Sequence, residues 1–413
     1  LALTTGVAMS DLTAQSWFVR AGAQGGDGTQ ASPFGDPWQA LERCQAGDTI
    51  HVTEGRYFGQ LGVGEWTIPF DGVQLLGGYT ADFATRDPWA HPTQLLWDKT
   101  SKNRPNQARV LVRGKGALVD GITIDRRDQH GYVDEQQSGR EDRHVEETAI
   151  AFEHAGTVRN CVVVNASQEC VTTPTGSTIE NNLFLNAMIF AVKVNSGDPK
   201  AITKITNNTI LFTWDNKSPG HGSFRGRAPH LGQVAHADIR GNLFAHNATA
   251  AIYTNGALDR TSVVGNAFAM NLFANLLTGE GGTKAVVDDQ TMELLEEVGL
   301  KAIDGNQVVP HELPLDAAWL DLYSKRTASQ QGKVVMDDWN KLRQLAGLPL
   351  MGTGYKVGTG IAPPYALDKA LLLVTARKAS PSQGARVVPL PVSIKAAGPA
   401  PVAKNYERSE VQT

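Results

Sequence analysis

Cysteine is scarce in this chain. Three residues, Cys44, Cys161 and Cys170, stand among 413. The number is odd and the spacing fits no metal motif, so neither a disulfide framework nor a cysteine metal set is written here. Charge of one sign is lacking as well. Lysine and arginine number 38 against 42 aspartates and glutamates, for a net charge of −4. With no basic face in view, nucleic acid is not an expected partner. Long apolar runs are missing too: no stretch of 18 residues is apolar throughout, so no membrane span is expected. Residues 1–15 are mildly apolar without a charged leading region and read as a processed start. Glycine, in contrast, is plentiful at 42 residues, as a fold made largely of turns requires.

From Thr148 to Phe273 the chain repeats itself, and no helical period is sustained. Each repeat opens with a short apolar strand, such as Ala149-Ile150-Ala151-Phe152, Phe190-Ala191-Val192-Lys193-Val194 or Ala251-Ile252-Tyr253. A turn follows, then a second line of near-constant form. Examples are Val158-Arg159-Asn160-Cys161-Val162, Ile179-Glu180-Asn181-Asn182-Leu183, Ile205-Thr206-Asn207-Asn208-Thr209, Ile239-Arg240-Gly241-Asn242-Leu243 and Val263-Val264-Gly265-Asn266-Ala267. From Cys161 to Asn182, Asn208, Asn242 and Asn266 the steps are 21, 26, 34 and 24 residues. Short β segments at such a period signal a solenoid. Apolar and polar residues alternate at period two, giving each strand one buried face. A single coil cannot bury that face alone, so neighbours must stack. The four asparagines then form one column and bond the backbone of the next coil. Cys161 holds the same position as a small buried hydrophobe.

The pattern resembles the right-handed parallel β-helix of the pectate-lyase-like superfamily, over about residues 16–283. The opening carries a second likeness, to the first coil and capping helix of secreted β-helix proteins acting on polysaccharides. Its residues are Trp17-Phe18-Val19, Gly25-Gly26-Asp27-Gly28-Thr29, the helix Trp38-Gln39-Ala40-Leu41-Glu42-Arg43-Cys44 and Glu54-Gly55-Arg56-Tyr57. Asp36 suits the N-cap and Pro37 the first helical turn. Residues 1–283 are therefore expected to form an all-β right-handed parallel β-helix with an N-terminal helix cap. Residues 284–413 are expected to form a C-terminal cap and an extended tail packed on the solenoid. Thr291–Glu297 and Met336–Leu345 read as its amphipathic helices.

Alternation assigns sides. Ile150, Phe152, Val171, Val192, Val194, Phe224 and Ile252 point inward; Glu153, Thr172, Lys193, Arg225, Arg227, Tyr253 and Asn255 point outward. With coils about 4.8 Å apart, Lys193, Arg225 and Tyr253 occupy successive rungs of one face. Adjacent cations repel unless an anion lies between them. Two charged, aperiodic insertions, 126–147 and 214–222, enter at the same turn. Loops on one side of a solenoid often wall its groove. The second brings Trp214, Asp215, Lys217 and His221 to the edge of the face.

This set suits an acidic polysaccharide. A uronate carboxylate must be neutralised before the adjacent C5 proton is removed, and arginine does this with a bidentate fork. Arg225 takes that role here. Lys193 is the candidate base, provided nearby arginines favour its neutral form, and Tyr253 or His221 the candidate acid at the leaving oxygen. Arg227, Trp214, Lys217, Asn255 and Glu153 are the candidate substrate-binding residues. The resemblance implies the same chemistry, since several β-helix lyase families use Lys and Arg on this face, some with Ca²⁺. This chain departs from them in showing no clear match to their carboxylate-rich calcium motif, nor to the aspartate pattern of β-helix epimerases. The metal is therefore left unknown, with calcium the one cofactor the resemblance suggests. The expectation is a secreted polysaccharide lyase. Two alternatives stand beside it: a glycoside hydrolase using paired carboxylates among Glu147, Glu153, Asp215 and Asp238, and a non-catalytic glycan-binding surface protein. Lys193, Arg225 and Arg227 also fit an ordinary solvated sheet. His154, His230, His236 and His246 read as isolated histidines with no ligand role.

Overall fold

The computed structural model describes residues 14–98, 100–103, 108–126, 148–195, 197–213, 226–233, 235–255, 258–271, 273–279 and 285–309, with 317 and 344. Each described coil adds one short strand to each of up to three sheets. Sheet I runs from Ser16–Val19 and Thr49–Thr53 to Ala302–Asp304. Sheet II runs from Gly55–Tyr57 to Gln307–Val308. Sheet III runs from Glu65–Ile68 to Ala274–Thr278 and Val286–Val287. The chain passes from I to II to III and back to I. Strand pairing is parallel throughout, except where Ala274–Thr278 meets Val286–Val287 antiparallel. Crossovers between parallel strands wind right-handed, and the result is the expected right-handed parallel β-helix.

Period-two alternation builds the core as columns. In sheet I, Ile50, Leu75, Val119, Val158, Ile179, Ile205, Ile239 and Val263 lie one above another, all essentially inaccessible to solvent. Phe184, Ile210, Phe244 and Phe268 do the same in sheet II, the last two rings stacking at 5.7 Å. Burying one such side chain is worth about 1.5–3 kcal/mol, and the burial comes from the coils above and below.

The near-constant line of the sequence is two strands, not one. It crosses a corner between sheets I and II, for instance from Thr178–Glu180 to Leu183–Ala187. Asn160, Asn181 and Asn207 make this corner with φ of 54–57°, and Gly241 and Gly265 with φ of 62°. That left-handed conformation is open to glycine and tolerated by asparagine. The residue after the corner is the ladder residue. Each ladder Oδ1 accepts the backbone N–H of its counterpart one coil back: Cys161 to Asn182 (2.9 Å), Asn182 to Asn208 (3.0 Å), Asn208 to Asn242 (2.8 Å) and Asn242 to Asn266 (3.0 Å). Each Nδ2 donates to the next Oδ1 and to a backbone carbonyl of the preceding coil, as Asn208 does to Asn242 and to the Ile179 oxygen. Asn306 extends the ladder by one further rung. Cys161 is buried at the head of the column, as expected, and all three cysteines are free.

At the N-terminal end the helix Pro37–Leu41 begins with a capping box between Asp36 and Gln39 and buries Pro37, Ala40 and Leu41. The same Asp36 carboxylate accepts from the Trp66 indole at 2.8 Å and from the N–H groups of Phe58 and Gly59. At the other end the sheets continue beyond residue 283, through Ala302–Asp304 and Gln307–Val308. The helix read over Thr291–Glu297 is a short 3-10 helix, Met292–Glu297. The one read over 336–345 lies outside the described residues apart from Gln344, as does the tail from 351. No helix among the described residues is long and apolar enough to cross a membrane.

Candidate functional site

Sheet III carries the face to which the candidate residues were assigned. Strand pairing sets its outward column as Ala151, Thr172, Lys193, His230, Tyr253 and Leu277. Lys193 and Tyr253 therefore face outward on one column, in the phase read from the sequence. The rung between them is different. The strand there is Arg227–Leu231, so His230 lies between Lys193 and Tyr253, where Arg225 was expected. Arg225, with Trp214, Lys217, His221 and Phe224, lies outside the described residues. Pro229 explains the slip, because a proline without an N–H argues against a central strand and made residues 223–225 the better-looking segment.

Glu169, Phe190 and Arg227 form a neighbouring column, and their side chains meet those of the first. The Lys193 ammonium lies 3.7 Å from Oε1 of Glu169. Glu169 is only 4% exposed, and its other oxygen accepts from the Thr148 hydroxyl at 3.0 Å. The near partner of Lys193 is thus a carboxylate, where a guanidinium was expected. His230 is sandwiched between Phe190 and Tyr253, with ring centroids 4.4 and 4.9 Å away and nearly parallel planes. The Arg227 guanidinium stands 3.4 Å over the Tyr253 ring, a cation–π geometry, and one of its nitrogens lies 3.1 Å from His230 Nδ1. A guanidinium can only donate, so Nδ1 accepts and the ring hydrogen sits on Nε2. Burial, reinforced by the charges of Arg227 and Lys193, pushes the His230 pKa down to about 3. The imidazole is neutral at pH 7. The Tyr253 hydroxyl donates to Asn255 Oδ1 at 2.5 Å.

The structure thus brings together Lys193, Arg227, Tyr253 and Asn255, and adds Glu169, Phe190 and His230. Glu153 lies on the same side of sheet III but four coils from Asn255, roughly 19 Å along the stack. Its carboxylate pairs with Arg113 at 3.5 Å, not with Lys193. Asp238 is on sheet I, bonded to Arg240; Glu147 and Asp215 lie outside the described residues. The two aperiodic stretches do enter at one corner. Each joins a sheet II strand, Ile122–Asp125 or Thr209–Thr213, to the sheet III strand that follows. Among the described residues no three His, Cys, Asp or Glu side chains converge as a metal site.

No family model matches the chain, and no curated protein matches it. Among solved structures the chain is similar to pectate lyase Pel9A, with 11% identity over 83% of this chain and 89% of that one and a TM-score of 0.42. It is also similar to XylC in complex with xylose, with 10% identity over 73% of this chain and 85% of that one and a TM-score of 0.31.

Proposed function

We propose that the chain is a secreted polysaccharide lyase that seats a uronic-acid-containing chain on the outer face of sheet III and cleaves it by β-elimination. The observation that carries this reading is the placement of two cations, Lys193 and Arg227, around a neutral His230 and the Tyr253 hydroxyl within neighbouring rungs. Elimination requires a neutralised carboxylate, a base at C5–H and an acid at the leaving oxygen. Arg227 and the Nε2–H of His230 face the carboxylate in this reading. Lys193 first passes its ammonium proton to Glu169, whose Oε1 lies 3.7 Å away, and the free amine then takes the C5 proton. Tyr253 turns its hydroxyl hydrogen from Asn255 Oδ1 to the departing oxygen and gives it up as the C4–O bond breaks and the C4–C5 double bond forms.

Paired-carboxylate hydrolysis gains less support, because the described candidates Glu153 and Asp238 stand on different sheets and cannot flank one glycosidic bond. The test is a panel of uronate polysaccharides, followed by ultraviolet absorbance of the unsaturated product and by reducing-end release. Absorbance rising with new ends supports the lyase. New ends without absorbance mean hydrolysis, and binding without either signal leaves a glycan-binding surface.

A further inference from the structure

Gly279 has a backbone that does not need to be glycine, and it stands out because the side chains that fill its Cβ position belong to the candidate site. The corner glycines Gly241 and Gly265 have φ of +62°, where a side chain strains the chain. Gly279 is outside the left-handed region, and its N–H is anchored to the Thr254 carbonyl at 2.8 Å. A Cβ built on it would lie 1.2 Å from Asn255 Oδ1, 2.4 Å from Asn255 Cγ and 2.5 Å from the Tyr253 hydroxyl. The space that a side chain would occupy is thus filled by the Tyr253–Asn255 pair. All three obstructing atoms are side-chain atoms, so an added methyl displaces that pair and spares the backbone.

We propose that Gly279 is a positioning residue, and that the Tyr253–Asn255 pair it admits is a subsite for a sugar hydroxyl. This rests on the reading of sheet III as a glycan-binding face. With its Oδ1 occupied, Asn255 retains two amide N–H donors, and the Tyr253 oxygen retains acceptor capacity. Donor and acceptor side by side match an alcohol group that both gives and takes a hydrogen bond. The aromatic stack fixes the tyrosine: His230 lies against its ring and the Arg227 guanidinium above it. The one freedom left is the Asn255 rotamer, which Gly279 leaves undisturbed.

The experiment measures binding of an oligogalacturonate, with a xylo-oligosaccharide of equal length as the neutral probe, alongside thermal melting. Gly279→Ala is expected to melt close to wild type and to bind about three- to tenfold more weakly, the worth of one neutral hydrogen bond. Tyr253→Phe and Asn255→Ala should show the same loss. The double variant Tyr253→Phe with Gly279→Ala should be no weaker than either single one, because both remove the same contact. A purely structural glycine would instead give additive losses, and additivity overturns the proposal. So does a Gly279→Ala protein that binds as wild type, or wild-type binding by both Tyr253→Phe and Asn255→Ala. Wild-type binding of the xylo-oligosaccharide alone, weakened by these variants, removes the acidic-substrate reading and upholds the subsite. Binding of neither probe overturns both.

Discussion

Two columns run through the later coils of this solenoid and follow opposite rules. At the corner of sheets I and II the same residue recurs in coil after coil: Asn182, Asn208, Asn242, Asn266 and Asn306. On the outer face of sheet III the column from Ala151 on has no residue twice, reading Ala151, Thr172, Lys193, His230, Tyr253, Leu277. The corner poses one physical problem per coil, a buried N–H and a buried carbonyl that need partners, and asparagine solves it each time with one acceptor and two donors. The outer face poses no such problem, so its residues are free to differ. The candidate site lies where the repeat places no demand.

The comparison can be broken most severely at the ladder. Asn208→Ala leaves the Asn182 N–H and the Ile179 carbonyl buried without their partners. At about 1–3 kcal/mol per unpaired group, a stability loss of about 3 kcal/mol is expected in denaturant melting. An unchanged midpoint would show that the column only accompanies the fold. On sheet III the largest effect should fall on binding. Lys193→Ala is expected to weaken retention of polygalacturonate about tenfold, in line with a charge-assisted contact, and to flatten its salt dependence. Equal affinity at low and high salt in both proteins would move the site elsewhere.

A smaller effect separates the two columns by pH. The pKa of His230 is depressed from 6.5 to about 3, first by burial and then by Arg227 and Lys193. Between those values the unfolded chain takes up a proton on this residue that the folded protein does not, so its contribution to stability is lost as the pH falls through the window. His230→Gln cannot titrate, and its melting temperature should fall less between about pH 6.5 and about pH 3 than that of wild type. Parallel pH profiles would contradict the assignment. The smallest effect expected is a gain. Cys161 stands at the head of the ladder with its thiol 3.7 Å from the Val119 carbonyl, the position that an Asn amide takes in later coils. Cys161→Asn should extend the ladder and raise stability by about 0.5–1.5 kcal/mol, the net worth of a hydrogen bond. A lower melting point would mean that the site is too tight for the amide.

Much of this was legible in the residues. The recurrent Asn-x-apolar line disclosed the ladder, and alternation placed Lys193 and Tyr253 on the outer face. Asp36 and Pro37 announced the capping helix. What stayed hidden has physical causes. The corner at Asn160, Asn181 and Asn207 consumes so few residues that alternation looks continuous through it, and two strands read as one. His230 was obscured by Pro229 beside it. Glu169 sits at the start of its strand with no neighbour to suggest that a lysine one coil on, 24 residues later, comes within 3.7 Å. Asn306 lies 40 residues beyond Asn266, past the point where the apolar rhythm fades.

The ladder has one further consequence. Successive coils differ in length, from 21 to 40 residues between ladder positions, yet the column advances one rung each time. Along the ladder the corner between sheets I and II stays short, for example from Glu180 to Leu183 or from Arg240 to Leu243, so in those coils the slack is taken up at the other two corners. Residues inserted there lengthen an outer loop and leave the stacking frame intact. One residue inserted between Thr206 and Asn208 would instead turn Ile210 out of the core column and move every side chain of Thr209–Thr213 to the opposite side of sheet II. The molecule therefore has a side that can be rewritten and a side that keeps the count, and the outer face of sheet III adjoins the side that can be rewritten.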